Sequence, residues 1–127
     1  MTDLATPDED MDEDELQRRL QLASAGANDR RGVALVSAYN AGILLNNYCK
    51  KNQTSRRQAV QDLSIRGLGK SSANDFCNFA EVICKFKAFS FVFLCEEPWR
   101  DVRLHLKKSA GRNSPSYLEV AFTEWLG

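Results

Sequence analysis

The stretch Asp29–Lys50, DRRGVALVSAYNAGILLNNYCK, decides the fold. Ala34, Ala38, Ala41, Leu45 and Tyr48 recur at spacings of four, three, four and three, which is one face of a helix. Leu35, Tyr39, Gly42 and Asn46 form a stripe beside it. The small residues Ala38, Ala41 and Gly42 predict close approach of a neighbouring helix. Asn28 or Asp29 is placed to cap the start. Lys50 and Lys51 fall at the end, where cations offset the negative pole of the helix dipole.

Outward from this element the chain keeps a helical rhythm. On the N-terminal side, Leu16, Leu20 and Ala23, with Leu22, predict a short helix over about 13–25 that stops at Gly26. Acids from Asp12 onward would sit in its first turn, at the positive pole. On the C-terminal side, Ser55 with Gln58 three residues later fits a capping box for a helix over about 55–65. Gly67 and Gly69 break that helix. A further one follows from Ser71 or Ser72 to about Phe86, apolar around so much of its circumference that it is expected at the centre of the core.

The segment Ala88–Cys95, AFSFVFLC, alternates at Phe89, Phe91 and Phe93 as a strand would. No second strand is available to pair with it, and an isolated strand is not stable. It is therefore read as a buried helix. Pro98 then opens a helix with Trp99, Val102 and Leu106 facing inward and Gly111 at its end. Ser114-Pro115 begins a last one, with Leu118, Ala121, Phe122 and Trp125 on one apolar face. The expected fold is all-α, a compact bundle of five to seven short helices. Most of its core is expected from residues 29–50, 71–86 and 114–126.

With 127 residues and 43% hydrophobic side chains, a single domain has enough apolar surface to build a core without staples. Charge divides the chain more sharply than hydropathy. Residues 1–15 carry eight of the 17 acids and no base, so residues 16–127 hold nine acids against all 17 bases, a net +8. The expected organisation is an acidic, disordered tail over 1–12 and one basic helical domain over 13–127. That tail is read as a screen over the basic body, a dock for a basic partner, or a solubilising end.

Several classes of function are set aside. Cys49, Cys77, Cys84 and Cys95 form no CxxC pair, and the single histidine, His105, lies away from them, so no zinc site is expected. Reduced, mostly buried thiols point to an intracellular protein, nuclear or cytoplasmic. The acidic N-terminus lacks a signal peptide, and the longest apolar run is too short to span a bilayer. The patterns GxxxxGK[ST], GxGxxG and HExxH are missing, and no nucleophile–base pair is visible. No catalytic site, cofactor or metal is expected.

What remains is a basic surface. Lys50 to Lys70 holds Lys50, Lys51, Arg56, Arg57, Arg66 and Lys70 against one acid, Asp62. Such groups neutralise phosphates. The two helices over 55–86, joined by a glycine-containing turn, loosely resemble a helix-turn-helix unit. Ser71, Asn74, Asp75, Asn78, Glu81 and Lys85 give the second of them a polar face. On a recognition helix, Ser72, Asn74 and Asn78 would lie near the bases, since Asn bonds adenine edges and Ser bonds phosphates or bases. Asp75 and Glu81 on that face would repel phosphate, and the glycines fall later than in the usual pattern. A second basic stretch holds Arg100, Arg103, Lys107, Lys108 and Arg112. The leading expectation is a small non-catalytic accessory protein bound to nucleic acid, DNA before RNA. The alternative is a protein-interaction subunit or homodimer that uses the Phe122–Trp125 face as its contact.

Overall fold

The computed structural model describes residues 4–28, 34–87, 92 and 98–110, the last from 105 onward as backbone only. Among these residues the chain is all-helical: α1 (Glu13–Ala27), α2 (Ala34–Asn52), α3 (Arg56–Leu63), α4 (Lys70–Phe86) and α5 (Trp99–Ala110). No described helix is long and apolar enough to cross a membrane. The expected helix over 114–126, with Phe122 and Trp125, lies outside the described residues. So does the segment 88–95 apart from Val92, which is buried.

Helix α2 is at the centre of the bundle, and α4, the helix expected in the core after Ser71, packs against it with Phe76, Phe79, Ala80 and Ile83 buried. All twelve residues from Ala34 to Leu45 are buried, so this stretch is enclosed on every side. Helix α1 packs along α2, and so does α4. Two glycines set these approaches. A Cβ on Gly42 would lie 2.1 Å from the Phe76 carbonyl oxygen of α4, and one on Gly26 would lie 2.4 Å from Ser37 Oγ of α2. Gly26 is therefore a packing residue inside α1, not the stop expected from its identity. The helix runs one residue further and ends at Asn28, whose N–H bonds the carbonyls of Ala25 and Gly26. Asn28 thus caps the end of α1 rather than the start of α2.

Local chemistry explains the other boundaries. Asp12 caps α1 by accepting from Glu15 N at 2.8 Å. Arg18 and Arg19 bond the Glu15 carboxylate, and these bonds hold its pKa down to about 2. Ser55 accepts from Gln58 N at 3.1 Å, but the Gln58 side chain turns forward to Asp62 at 2.8 Å, so only half of the capping box forms. Helix α3 stops at Ser64, which takes a left-handed conformation before either glycine is reached. Helix α5 buries Trp99 and Val102, and Trp99 lies between Phe76 and Phe79 of α4 with ring centroids 5.2 and 5.1 Å away.

The acidic segment does not stand away from the body. Residues 4–11 run along α2 as a strap. Asn40 Oδ1 accepts from Ala5 N at 2.7 Å. Asn47 Oδ1 accepts from Asp8 N at 2.7 Å, and Asn47 Nδ2 donates to Thr6 O at 3.0 Å. A turn closes between Thr6 O and Glu9 N at 3.2 Å, with Pro7 at its second position and Asp8 at φ 62°. Leu4, Ala5 and Met11 pack against the core. Composition predicts disorder here because it counts acids. It does not register that buried Asn40 and half-buried Asn47 supply partners for the segment's backbone.

Candidate nucleic-acid interface

The structure divides the twelve expected nucleic-acid-contacting residues into four groups. Lys50 and Lys51, at the end of α2, carry the strap: Lys50 Nζ lies 2.8 Å from Asp8 Oδ1 and Lys51 Nζ 2.9 Å from Asp10 Oδ1. The Lys51 ammonium bonded to Asp10 lowers that carboxyl's pKa below its ordinary value.

Arg56 is a strut between α3 and α4. Its Nη1 donates to Asn74 Oδ1 at 2.7 Å and to Asn78 Oδ1 at 2.8 Å, and its Nη2 donates to Glu81 Oε1 at 2.6 Å. Arg103 does the same from α5. Its Nε donates to Asp75 and its Nη2 to Ser71 Oγ at 3.2 Å. The polar face of α4, expected to read bases, is therefore engaged by two arginines of the protein itself. Asn74 and Asn78 are turned to Arg56, and Arg103 is turned to Asp75. The presence of Asp75 and Glu81 on this face, which would repel DNA, has a direct reason: each carboxylate receives an arginine. Ser72 is half-buried. The connection between α3 and α4 covers residues 64–69, longer than the three or four residues of a helix-turn-helix.

The third group is exposed and unpaired. Arg57, Arg66 and Lys70 lie at the start of α3, in the turn after it and at the start of α4, and all three are exposed. Among the described residues, none of their side chains forms an ion pair. The fourth group, Lys107 and Lys108, lies on the backbone of α5 with side chains outside the described residues.

Three of the four thiols lie among the described residues. Cys49, Cys77 and Cys84 are all free. Burial pushes the Cys77 thiol up to about 12 and raises Cys49 as well. The Cys84 Sγ lies 3.4 Å from Tyr39 Oη. Among the described residues, no cluster of His, Cys, Asp and Glu could hold a metal ion.

The chain matches no protein-family model, no curated protein and no solved structure. The reading of its surface rests on its own residues.

The geometry separates two adjacent arginines that the sequence treats alike. Arg56→Ala removes three charge-assisted hydrogen bonds at a partly exposed site, and is expected to cost about 1–2 kcal/mol of stability. Arg57→Ala, whose side chain has no ion pair or hydrogen bond among the described residues, is expected to cost under about 0.5 kcal/mol. Urea denaturation of the two variants checks this, and equal midpoints would remove the strut.

Sequence reasoning missed Asn40 and Asn47 as anchors of the strap. Their signal was present: two amides seven residues apart, hence on one side of α2, within a largely apolar helix.

Proposed function

We propose that this chain is a small, non-catalytic, DNA-associated accessory protein that touches the phosphate backbone and does not read bases. One observation carries the proposal. The arginine struts occupy the polar face of α4, while Arg57, Arg66 and Lys70 stay exposed with no carboxylate partner among the described residues. Base readout needs amides whose donors and acceptors are presented to a groove. Here the Asn74 and Asn78 oxygens already accept from Arg56. Phosphate contact needs only exposed cations, and gives affinity without sequence preference. The eight acids of residues 1–15 offset the +8 of residues 16–127, so the full chain is formally neutral and the attraction is local to the exposed cations.

The test is fluorescence anisotropy with random-sequence duplex DNA, titrated over salt, on the full chain. Log affinity should fall with log salt, by about 0.9 per neutralised phosphate. Replacing Arg57, Arg66 and Lys70 together by Ala should reduce the slope by about 2–3 while leaving the denaturation midpoint near that of the parent. Two A·T-rich and G·C-rich duplexes should bind alike. An unchanged slope, or no binding at low salt by the parent chain, overturns the proposal.

A further inference from the structure

We infer that residues 4–11 are a built-in stand-in for nucleic acid: a strap whose carboxylates hold Lys50 and Lys51, and which DNA phosphates displace. The inference rests on the phosphate-contact reading above and names its regulation.

The contacts resemble those a phosphate would make. The Asp8–Lys50 and Asp10–Lys51 separations of 2.8 and 2.9 Å are those of an ammonium on an anionic oxygen. The turn at Thr6–Glu9 sets the spacing. It places Asp8 and Asp10 on consecutive lysines, while Glu9 faces Arg19 of α1 at 3.8 Å. Lys51 Nζ also donates to Met11 O at 3.4 Å. Two cations at the end of α2 are thus taken by two carboxylates of the same chain, while among the described residues the next cation along the chain without a carboxylate partner is Arg57.

The hold is suited to release. The paired side chains are well exposed, Lys50 at 73% and Asp10 at 89%. Ion pairs in that setting are weak and screened by salt. The strap's backbone is fixed separately, by Asn40 and Asn47. Shape and charge can therefore be removed one at a time. A duplex offers many phosphates at once, and those held by Arg57, Arg66 or Lys70 raise the local concentration of the ones that compete at Lys50 and Lys51.

The experiment uses the full chain and a random-sequence duplex of about 20 base pairs. In the first variant, Asp8→Asn with Asp10→Asn, the strap keeps its backbone bonds and loses its charge on the lysines. In the second, Asn47→Ala, the strap keeps its charge and loses its central anchor. Both are expected to bind DNA roughly tenfold tighter than the parent, and the first with a salt slope steeper by about 2. Adding Lys50→Gln and Lys51→Gln to the first variant should abolish the gain. In the parent, DNA should speed hydrogen exchange at the Ala5 and Asp8 amides.

Equal binding by parent and both variants would overturn the strap's role while leaving the phosphate-contact reading standing. A gain that survives loss of both lysines would also overturn it, because the tail's charge would then act at a distance. No DNA binding by any of the chains would remove the phosphate-contact reading, and the inference with it.

Discussion

Gly42→Ala is expected to destabilise the protein by at least about 2 kcal/mol, read as a lower midpoint in urea with the slope unchanged. Two effects oppose each other. Alanine favours a helix interior over glycine by about 1 kcal/mol. Against this, the new methyl would sit 2.1 Å from the Phe76 carbonyl oxygen and 2.7 Å from both the Phe76 carbonyl carbon and Ala80 Cβ. Two of those three atoms are backbone of α4, so relief requires moving one helix off the other. Overpacking a close-packed core costs about 1–3 kcal/mol, and more where backbone must shift. The clash wins. Gly26→Ala provides the contrast. Its methyl meets Ser37 Oγ, a rotatable side-chain atom, at 2.4 Å and Ser37 Cβ at 3.0 Å. The helix preference should offset much of that strain, leaving a net change within about 1 kcal/mol. Equal losses at the two glycines would contradict the close α2–α4 crossing.

Trp99→Ala is expected to cost about 3–5 kcal/mol, the usual range for emptying a buried large aromatic site. The indole is 3% exposed and stacks on Phe76 at an interplanar angle of 26°, with Phe79 tilted at 56° on its other contact. Such pairs add about 0.5–1.5 kcal/mol beyond the area they bury. Trp99 and Val102 are the buried apolar contacts described for α5, so the loss should undock that helix and with it the Arg103–Asp75 strut. Near-ultraviolet circular dichroism and urea denaturation would report both effects. Trp99→Phe, which keeps a ring in the stack, should lose about half as much or less. A Trp99→Ala variant as stable as the parent would mean that α5 is not part of the core.

The periodicity of Ala34–Tyr48 identified a helix and its faces, and its small residues identified a close neighbour, because apolar spacing and residue size act locally along one helix. Ser55 was legible as a cap for the same reason, whereas Asp12, read as a first-turn acid, is the cap itself. Glycine was ambiguous: Gly26 and Gly42 serve close packing, whereas Gly26 was expected to end a helix. Only the identity of the facing helix decides between those roles, and spacing along one helix does not specify it.

The candidate site was less legible than the fold. The positions Ser71, Asn74, Asp75, Asn78 and Glu81 form a polar face at helical spacing whether that face meets DNA, water or another helix. Here it meets Arg56, up to 25 residues earlier in the chain, and Arg103, 28 residues after Asp75. The acids on that face were a signal that their partner is cationic, and the chain supplies the cations. The strap follows the same logic. Asp8 and Asp10 pair with Lys50 and Lys51 some 40 residues away, a match that net charge conceals and the local sequence does not encode.

The central claim is that Arg56 is a strut and Arg57 a phosphate contact, although they are neighbours on one short helix. The most direct measurement is the salt dependence of duplex-DNA binding for Arg56→Ala beside Arg57→Ala, at a temperature where both are folded. The account predicts a slope reduced by about 1 for Arg57→Ala and unchanged for Arg56→Ala. A reduced slope for Arg56→Ala with Arg57→Ala unchanged would contradict it, and would return the polar face of α4 to the DNA.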